Sequence, residues 1–217
     1  MKGNSKEIAI SSRASVSDTY DWFDPLYAKA GGDASQVPWA LLGPASALVD
    51  WLKKNPGEGR SAVVVGCGLG DDAEALARAG FEVTAFDVAP SAIAWAKQRF
   101  PESAVDYQVA DLFDLPADWL GQFDLVFEFR TLQALPVAVR AEAIEQVAAL
   151  VRPGGTILVV TYTREADEVF EGPPWPLSEV ELAHFEEIGL AAIARDAFRK
   201  KDSRFGDRIR IQYQAPD

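Results

Sequence analysis

Three glycines stand within the five residues Gly66-Cys67-Gly68-Leu69-Gly70, directly after the apolar run Ser61–Val65 and before Asp71-Asp72. Glycines between a buried strand and a helix let the backbone turn tightly and approach a ligand closely. The helix start then offers free N–H groups to a negatively charged group. Asp87 ends the next apolar run, in Phe86-Asp87-Val88, and Asp111 the one after, in Ala110-Asp111-Leu112-Phe113. A carboxylate at the first position can accept hydrogen bonds from both hydroxyls of a ribose. At the second it can accept from a purine amino group while Leu112 covers the ring. Each acid also has a plainer role. Asp87 can cap a helix beginning near Ala89, where Pro90 and Ser91 suit a helix start, and Asp111 can be a turn aspartate. Glu128 and Arg130 close a fourth run, Phe123-Asp124-Leu125-Val126-Phe127. Arg130 can hold an anionic group and depress its pKa, or form a surface salt bridge. Glu128 can meet a cationic ligand group or take a proton, or be a strand-end acid only.

The rest of the inventory narrows the chemistry. No Ser/His/Asp or Cys/His arrangement is in view, and the single histidine, His184, sits in a polar helical stretch that reads as surface. Cys67 is the one cysteine, so no intramolecular disulfide framework exists and a reducing compartment is expected. No ligand spacing for a metal is present. The 33 acids outnumber the 21 bases, for a net charge of −12, which repels phosphate backbones and anionic lipid. The basic cluster Arg199, Lys200, Lys201 and Arg204 reads as a solvated hairpin turn. Nucleic acid and membrane are therefore not expected as partners, and the oligomeric state expected is a monomer or weak dimer. No apolar run reaches the roughly 18 residues of a membrane span. The start, MKGNSKEIAI, lacks the pattern of a secretory signal, so a cytoplasmic location is expected.

These residues need elements to hold them. Strand-like runs fall at Ser61–Val65 and at residues 81–86, 104–109, 123–127 and 156–161. Helical patterns fall at 71–79, 89–100 and 138–151 between them. That alternation predicts a Rossmann-like α/β sheet, seven-stranded and mostly parallel, with helices on both faces. The turn Arg152-Pro153-Gly154-Gly155 should precede the fifth strand. A helix over 177–188, with Ser178 as cap and Gly189 as stop, leads into strands Ala191–Phe198 and Arg208–Gln214, a C-terminal antiparallel hairpin. Apolar spacing also predicts a helix over 37–52. Residues 1–58 read as a helical arm packed on a domain spanning 59–217. Its aromatics Trp22, Phe23 and Tyr27 can form a lid over a ligand or an ordinary packed arm.

Spacing also discriminates between ligands. A dinucleotide fingerprint needs its third small residue three positions after the second glycine, where this chain has Asp71. The tight G-x-G-x-G is instead the pattern of S-adenosylmethionine binders. With these motifs the chain resembles class I methyltransferases and, within them, the thiopurine methyltransferase superfamily of thiol, halide and metalloid methyltransferases. The resemblance rests on Pro38-Trp39…Leu42-Gly43-Pro44 and on the glycine loop with its Cys67. It extends to Phe123-Asp124-Leu125-Val126-Phe127-Glu128, to Leu150-Val151-Arg152-Pro153-Gly154-Gly155, and to Thr161-Tyr162 followed by Gly172-Pro173-Pro174-Trp175-Pro176. Val64 stands where most other methyltransferases place an acid, which is itself a match to the superfamily.

The resemblance implies S-adenosyl-L-methionine as cofactor, S-adenosyl-L-homocysteine as product and a small-molecule methyl acceptor, a thiol or other soft nucleophile. It implies cofactor contacts from Trp39, Leu42, Gly66, Gly68, Gly70, Asp87, Val88, Asp111, Leu112 and Glu128. Trp175, Phe23 and Arg130 would meet the acceptor, with Arg130 and Glu128 as the catalytic candidates. Arg130 sits one residue later than the arginine that thiopurine enzymes place near substrate, and Phe129 holds the matching place. Oxygen or nitrogen methylation and a non-catalytic cofactor-binding protein remain as alternatives. An NAD-dependent oxidoreductase is opposed by the glycine spacing.

Overall fold

Val63, Val64 and Val65 are stiff at χ1 and suit a pleated strand. Ser61–Val65 forms β1, followed by β2 (Glu82–Asp87), β3 (Asp106–Val109), β4 (Phe123–Phe129), β5 (Val151–Tyr162), β6 (Ala191–Phe198) and β7 (Arg208–Gln214). The computed structural model describes residues 20–165, 168, 170–198 and 207–217. It joins the strands into one sheet in the order β3-β2-β1-β4-β5-β7-β6. The first five are parallel, and β7 runs antiparallel between β5 and β6. Connections run outward from β1 in one direction and from β4 in the other, leaving a switch point between them where α/β proteins bind ligands.

Seven helices complete the described fold: α1 (Phe23–Ala30), α2 (Ser46–Leu52), α3 (Asp71–Arg78), α4 (Pro90–Arg99), α5 (Thr131–Ala134), α6 (Arg140–Ala149) and α7 (Glu179–Glu187). Each face of the sheet is covered, so the central strands are apolar on both sides. Val63, Val65, Val126 and Val159 pack under Ile144, Leu182 and Phe185 on one face. Val64, Leu125, Phe127 and Leu158 pack with Leu48, Leu76 and Ile93 on the other. The acids Asp71, Asp72 and Glu74 fall in the first turn of α3 and Arg78 in its last, matching the helix dipole. Ser178 and Glu181 form a reciprocal capping box on α7. Among the described residues, no helix is long and apolar enough to cross a membrane.

The structure departs from the sequence reading in three places. The helix expected over 37–52 is confined to Ser46–Leu52, because Gly43-Pro44 interrupts it. Leu41 and Leu42 upstream are exposed instead of packed. The Arg152-Pro153-Gly154-Gly155 turn is absorbed into β5 as an irregularity, since Phe123 pairs with Val151 but Leu125 pairs with Thr156. The fourth strand runs to Phe129, so Glu128 lies within it and not beyond its end. The basic cluster at Arg199, Lys200, Lys201 and Arg204 lies outside the described residues.

Candidate functional site

The parallel strands end at one cavity of about 550 Å³, lined by the glycine loop, the ends of β2, β3 and β4, and the N-terminal segment. That volume falls within the ~300–1,000 Å³ usual for small-ligand sites. Gly66 and Gly70 adopt φ of 59° and 88°. A Cβ on Gly66 would lie 2.3 Å from the Thr131 hydroxyl, and one on Gly70 would lie 2.5 Å from the Tyr107 hydroxyl. Both positions therefore demand glycine for the turn and for close packing.

Asp87 lies beneath this loop. Its carboxylate accepts the Gly68 N–H at 2.9 Å and the Ala89 N–H at 3.0 Å. Burial raises its pKa against the pull of these amides. An ionised carboxylate has about four lone-pair sites, so each oxygen keeps one for a ligand. The helix-cap role and a ligand role for Asp87 are thus compatible. Asp111 takes the Phe113 N–H at 2.9 Å and the Tyr20 hydroxyl at 2.6 Å, and Tyr20 stacks on Phe113.

The N-terminal segment closes the opposite side. Tyr27 is 4% exposed, accepts the Trp39 indole N–H at 2.7 Å and stands over Gly68, where a Cβ would come within 3.1 Å. Trp22 and Phe23 stack, and both meet Trp39 edge-on. Arg130, at φ 71°, ends β4 in a left-handed conformation that is strained for a side-chain-bearing residue. Its guanidinium lies over the Phe129 ring at 4.6 Å and donates to the Trp39 carbonyl at 3.3 Å. The Arg130 Nε is buried without a partner.

Of the residues singled out from the sequence, the cavity gathers Phe23, Trp39, Gly66, Gly68, Asp87, Val88, Asp111, Leu112 and Arg130. Four others lie elsewhere. Leu42 is 61% exposed, turned out by a φ of 51°. Gly70 faces Tyr107. Trp175 folds back onto Gly172, where a Cβ would lie 2.6 Å from the indole; Pro173 and Pro174 line the cavity in its stead. Glu128 is fully buried beneath the floor, with one oxygen accepting the Leu132 N–H at 3.0 Å and the other unpartnered. Burial pushes its pKa up to about 7, against the Leu132 and Thr131 amides and the charge of Arg140. His184 bonds Glu187 and Glu145 on the helix surface, away from the cavity.

Glu128 gives a stability prediction. Its folded pKa of about 7 exceeds the ordinary value, so between roughly pH 4.5 and 7 the unfolded chain ionises while the folded chain keeps the proton. Stability is therefore full below that window and lost as pH rises through it. The loss is on the order of 3 kcal/mol at 1.36 kcal/mol per pKa unit. Glu128→Gln removes this term, so the melting temperature of wild type should fall relative to the variant between pH 5 and pH 8. Parallel melting profiles across that range would refute it.

The structure adds residues that sequence reasoning missed. Asp72 lines the cavity and accepts the Ala45 N–H at 2.7 Å; burial pushes its pKa up to about 6, while Arg130 pulls it down. Arg140 is 1% exposed. It donates to the carbonyls of Leu132, Leu135, Trp175 and Pro176 and pairs with Glu181, fixing the Pro-Pro wall to α5. Gln133 and Tyr162 also line the cavity. Asp72 stood beside the glycine loop and was open to notice. Arg140 looked like any charged residue at a helix start.

The profile of the family described as Thiopurine S-methyltransferase (TPMT) matches residues 33–206, most of the chain. The chain belongs to this family. The family is one of S-adenosylmethionine-dependent methyltransferases. A ubiquinone biosynthesis O-methyltransferase from Xylella fastidiosa is 35% identical over 149 residues, 67% of this chain and 56% of that protein. One from Xanthomonas campestris pv. campestris is 39% identical over 135 residues, 61% of this chain and 55% of its own length. The chain thus spans little more than half of these relatives. In fold it resembles the N-methyltransferase NodS from Bradyrhizobium japonicum, solved with S-adenosylhomocysteine. The TM-score is 0.65 at 22% identity, over 79% of this chain and 85% of that one. The family cofactor suits the residues present: the cavity holds about 550 Å³, and Asp87 and Asp111 on its wall offer acceptors for hydroxyl and amino groups.

Proposed function

We propose that the protein transfers a methyl group to a small molecule whose nucleophile arrives as an anion, a thiolate or another soft nucleophile. One observation carries this reading. Arg130, a permanent cation, stands on the cavity wall with its Nε unpartnered, and among the described residues it forms no ion pair. Leu135, Pro173 and Pro174 give the same cavity an apolar lining. S-adenosylmethionine supplies an electrophilic methyl group on a positively charged sulfur, which a nucleophile displaces in line. Asp87 and Asp111 would hold its ribose and purine, and the glycine loop would pass its amino-acid end. Trp39, Phe23 and Val88 would exclude water around it. Arg130 would favour the ionised acceptor, so no strong general base is required. Glu128, below the floor, would support the β4–α5 turn and would not touch the acceptor.

A second reading is methylation of a phenolic oxygen. The relatives named as ubiquinone biosynthesis O-methyltransferases favour it, as does Asp72, whose raised pKa suits a proton acceptor near neutrality. The two readings separate in one assay: S-adenosylhomocysteine release with aryl thiols, sulfide and iodide set against catechols and hydroxyquinolines. Turnover on the thiols or iodide is the expected result. Turnover confined to catechols or quinolines would move the chemistry to oxygen and to Asp72.

A further inference from the structure

Gln133 is 3% exposed, yet it lines the cavity. Its side-chain oxygen accepts the Tyr162 N–H at 3.1 Å and the Thr161 hydroxyl at 3.1 Å. A backbone N–H can only donate, so the atom facing it must be the oxygen, and the amide nitrogen is the other end. Among the described residues that nitrogen has no acceptor, and it is not one of the fully buried unpartnered atoms, so it remains accessible to a ligand. The side chain cannot turn away to find one, because its oxygen is pinned twice. Its backbone is pinned as well, since the Gln133 carbonyl accepts the Trp175 N–H at 2.7 Å. Among the described residues the two N–H donors of a fixed amide thus have no protein acceptor, on a residue that lines the cavity.

From this we infer that Gln133 selects the methyl acceptor: its amide N–H groups bind an oxygen or nitrogen lone pair adjacent to the atom that is methylated. Arg130 holds the ionised nucleophile and Gln133 a second polar atom of the same molecule, so the acceptor class is an anion that also carries a hydrogen-bond-accepting oxygen or nitrogen beside its nucleophile. The assignment rests on the reading of this cavity as the methyl-acceptor site.

The test uses the full chain saturated with S-adenosylhomocysteine and two matched pairs of probes, thiophenol with 2-sulfanylphenol and phenol with catechol. Calorimetric binding is measured for all four and turnover is followed separately with S-adenosylmethionine. In wild type the ortho-substituted member of a pair should bind about tenfold tighter than its parent, the value of one hydrogen bond in a desolvated site. Gln133→Glu keeps an oxygen for Tyr162 and Thr161 but replaces the donors, so the ratio should collapse to about one or invert. Gln133→Met, which removes the amide and fills the space, should also bring it to about one. Equal binding within both pairs in wild type overturns the assignment, as does a ratio that survives in a folded variant or failure of all four probes to bind. Retained discrimination without turnover would sink the methyl-transfer reading and leave Gln133 in place; turnover with a ratio of one would do the reverse.

Discussion

Replacing Asp87 with asparagine should weaken S-adenosylhomocysteine binding by about 100-fold or more, the equivalent of roughly 3 kcal/mol. The Asp87 carboxylate receives Gly68 and Ala89 N–H groups through different oxygens. An asparagine places its own N–H₂ against one of those donors, so the loop anchor weakens even before ligand is bound. The charged acceptor proposed for the ribose hydroxyls is lost at the same time, and hydrogen bonds to a charged partner are the stronger kind. The pH dependence follows from the same group. Burial raises the Asp87 pKa, and the ionised form is the better acceptor, so wild-type affinity should fall as pH drops through that raised value. The asparagine variant should lack this acid limb. Calorimetric affinity within threefold of wild type would remove Asp87 from the cofactor site.

Arg140→Met should cost about 3–5 kcal/mol of stability, the range for breaking one partner from a buried ion pair. The guanidinium is 1% exposed, and four backbone carbonyls lose their donor with it. Glu181 keeps Arg164 at 2.8 Å, so its charge is not stranded and the lower end of the range is expected. At about 2–4 °C per kcal/mol for a chain of this size, the melting temperature should drop by roughly 10 °C. The Pro-Pro wall should loosen too, raising the KM for the acceptor more than that for S-adenosylmethionine. A melting shift under about 2 °C would show that the carbonyls find other donors at little cost.

Much of this site was legible in the chain. The strand, glycine loop and acidic helix start at residues 61–72 state their geometry locally, because only glycine tolerates those φ values and close contacts. Asp87 and Asp111 follow from the same logic, one strand end at a time. Glu128 shows the limit. A strand residue points to one face or the other, and in a parallel sheet both faces are apolar, so the sequence does not say which carboxylate meets the cavity. Here Glu128 turns to the α5 side and into the core. Trp175 and Leu42 sit off the cavity wall for a related reason: their neighbours in sequence line the cavity, while their own side chains fold back or out.

By itself, then, the sequence determined the α/β alternation, the seven strands, the glycine loop and the two strand-end acids. These depend on local backbone chemistry and on periodicity, which each segment carries within itself. Tertiary structure alone decided the wall that carries Gln133, Pro173 and Pro174. Arg140 reaches Trp175 and Glu181 across 35 and 41 residues of chain. Gln133 is oriented by Thr161 and Tyr162, 28 and 29 residues away, and Asp72 is held by Ala45, 27 residues before it. No pattern within a segment encodes such contacts; they exist once the sheet has brought the strand ends together.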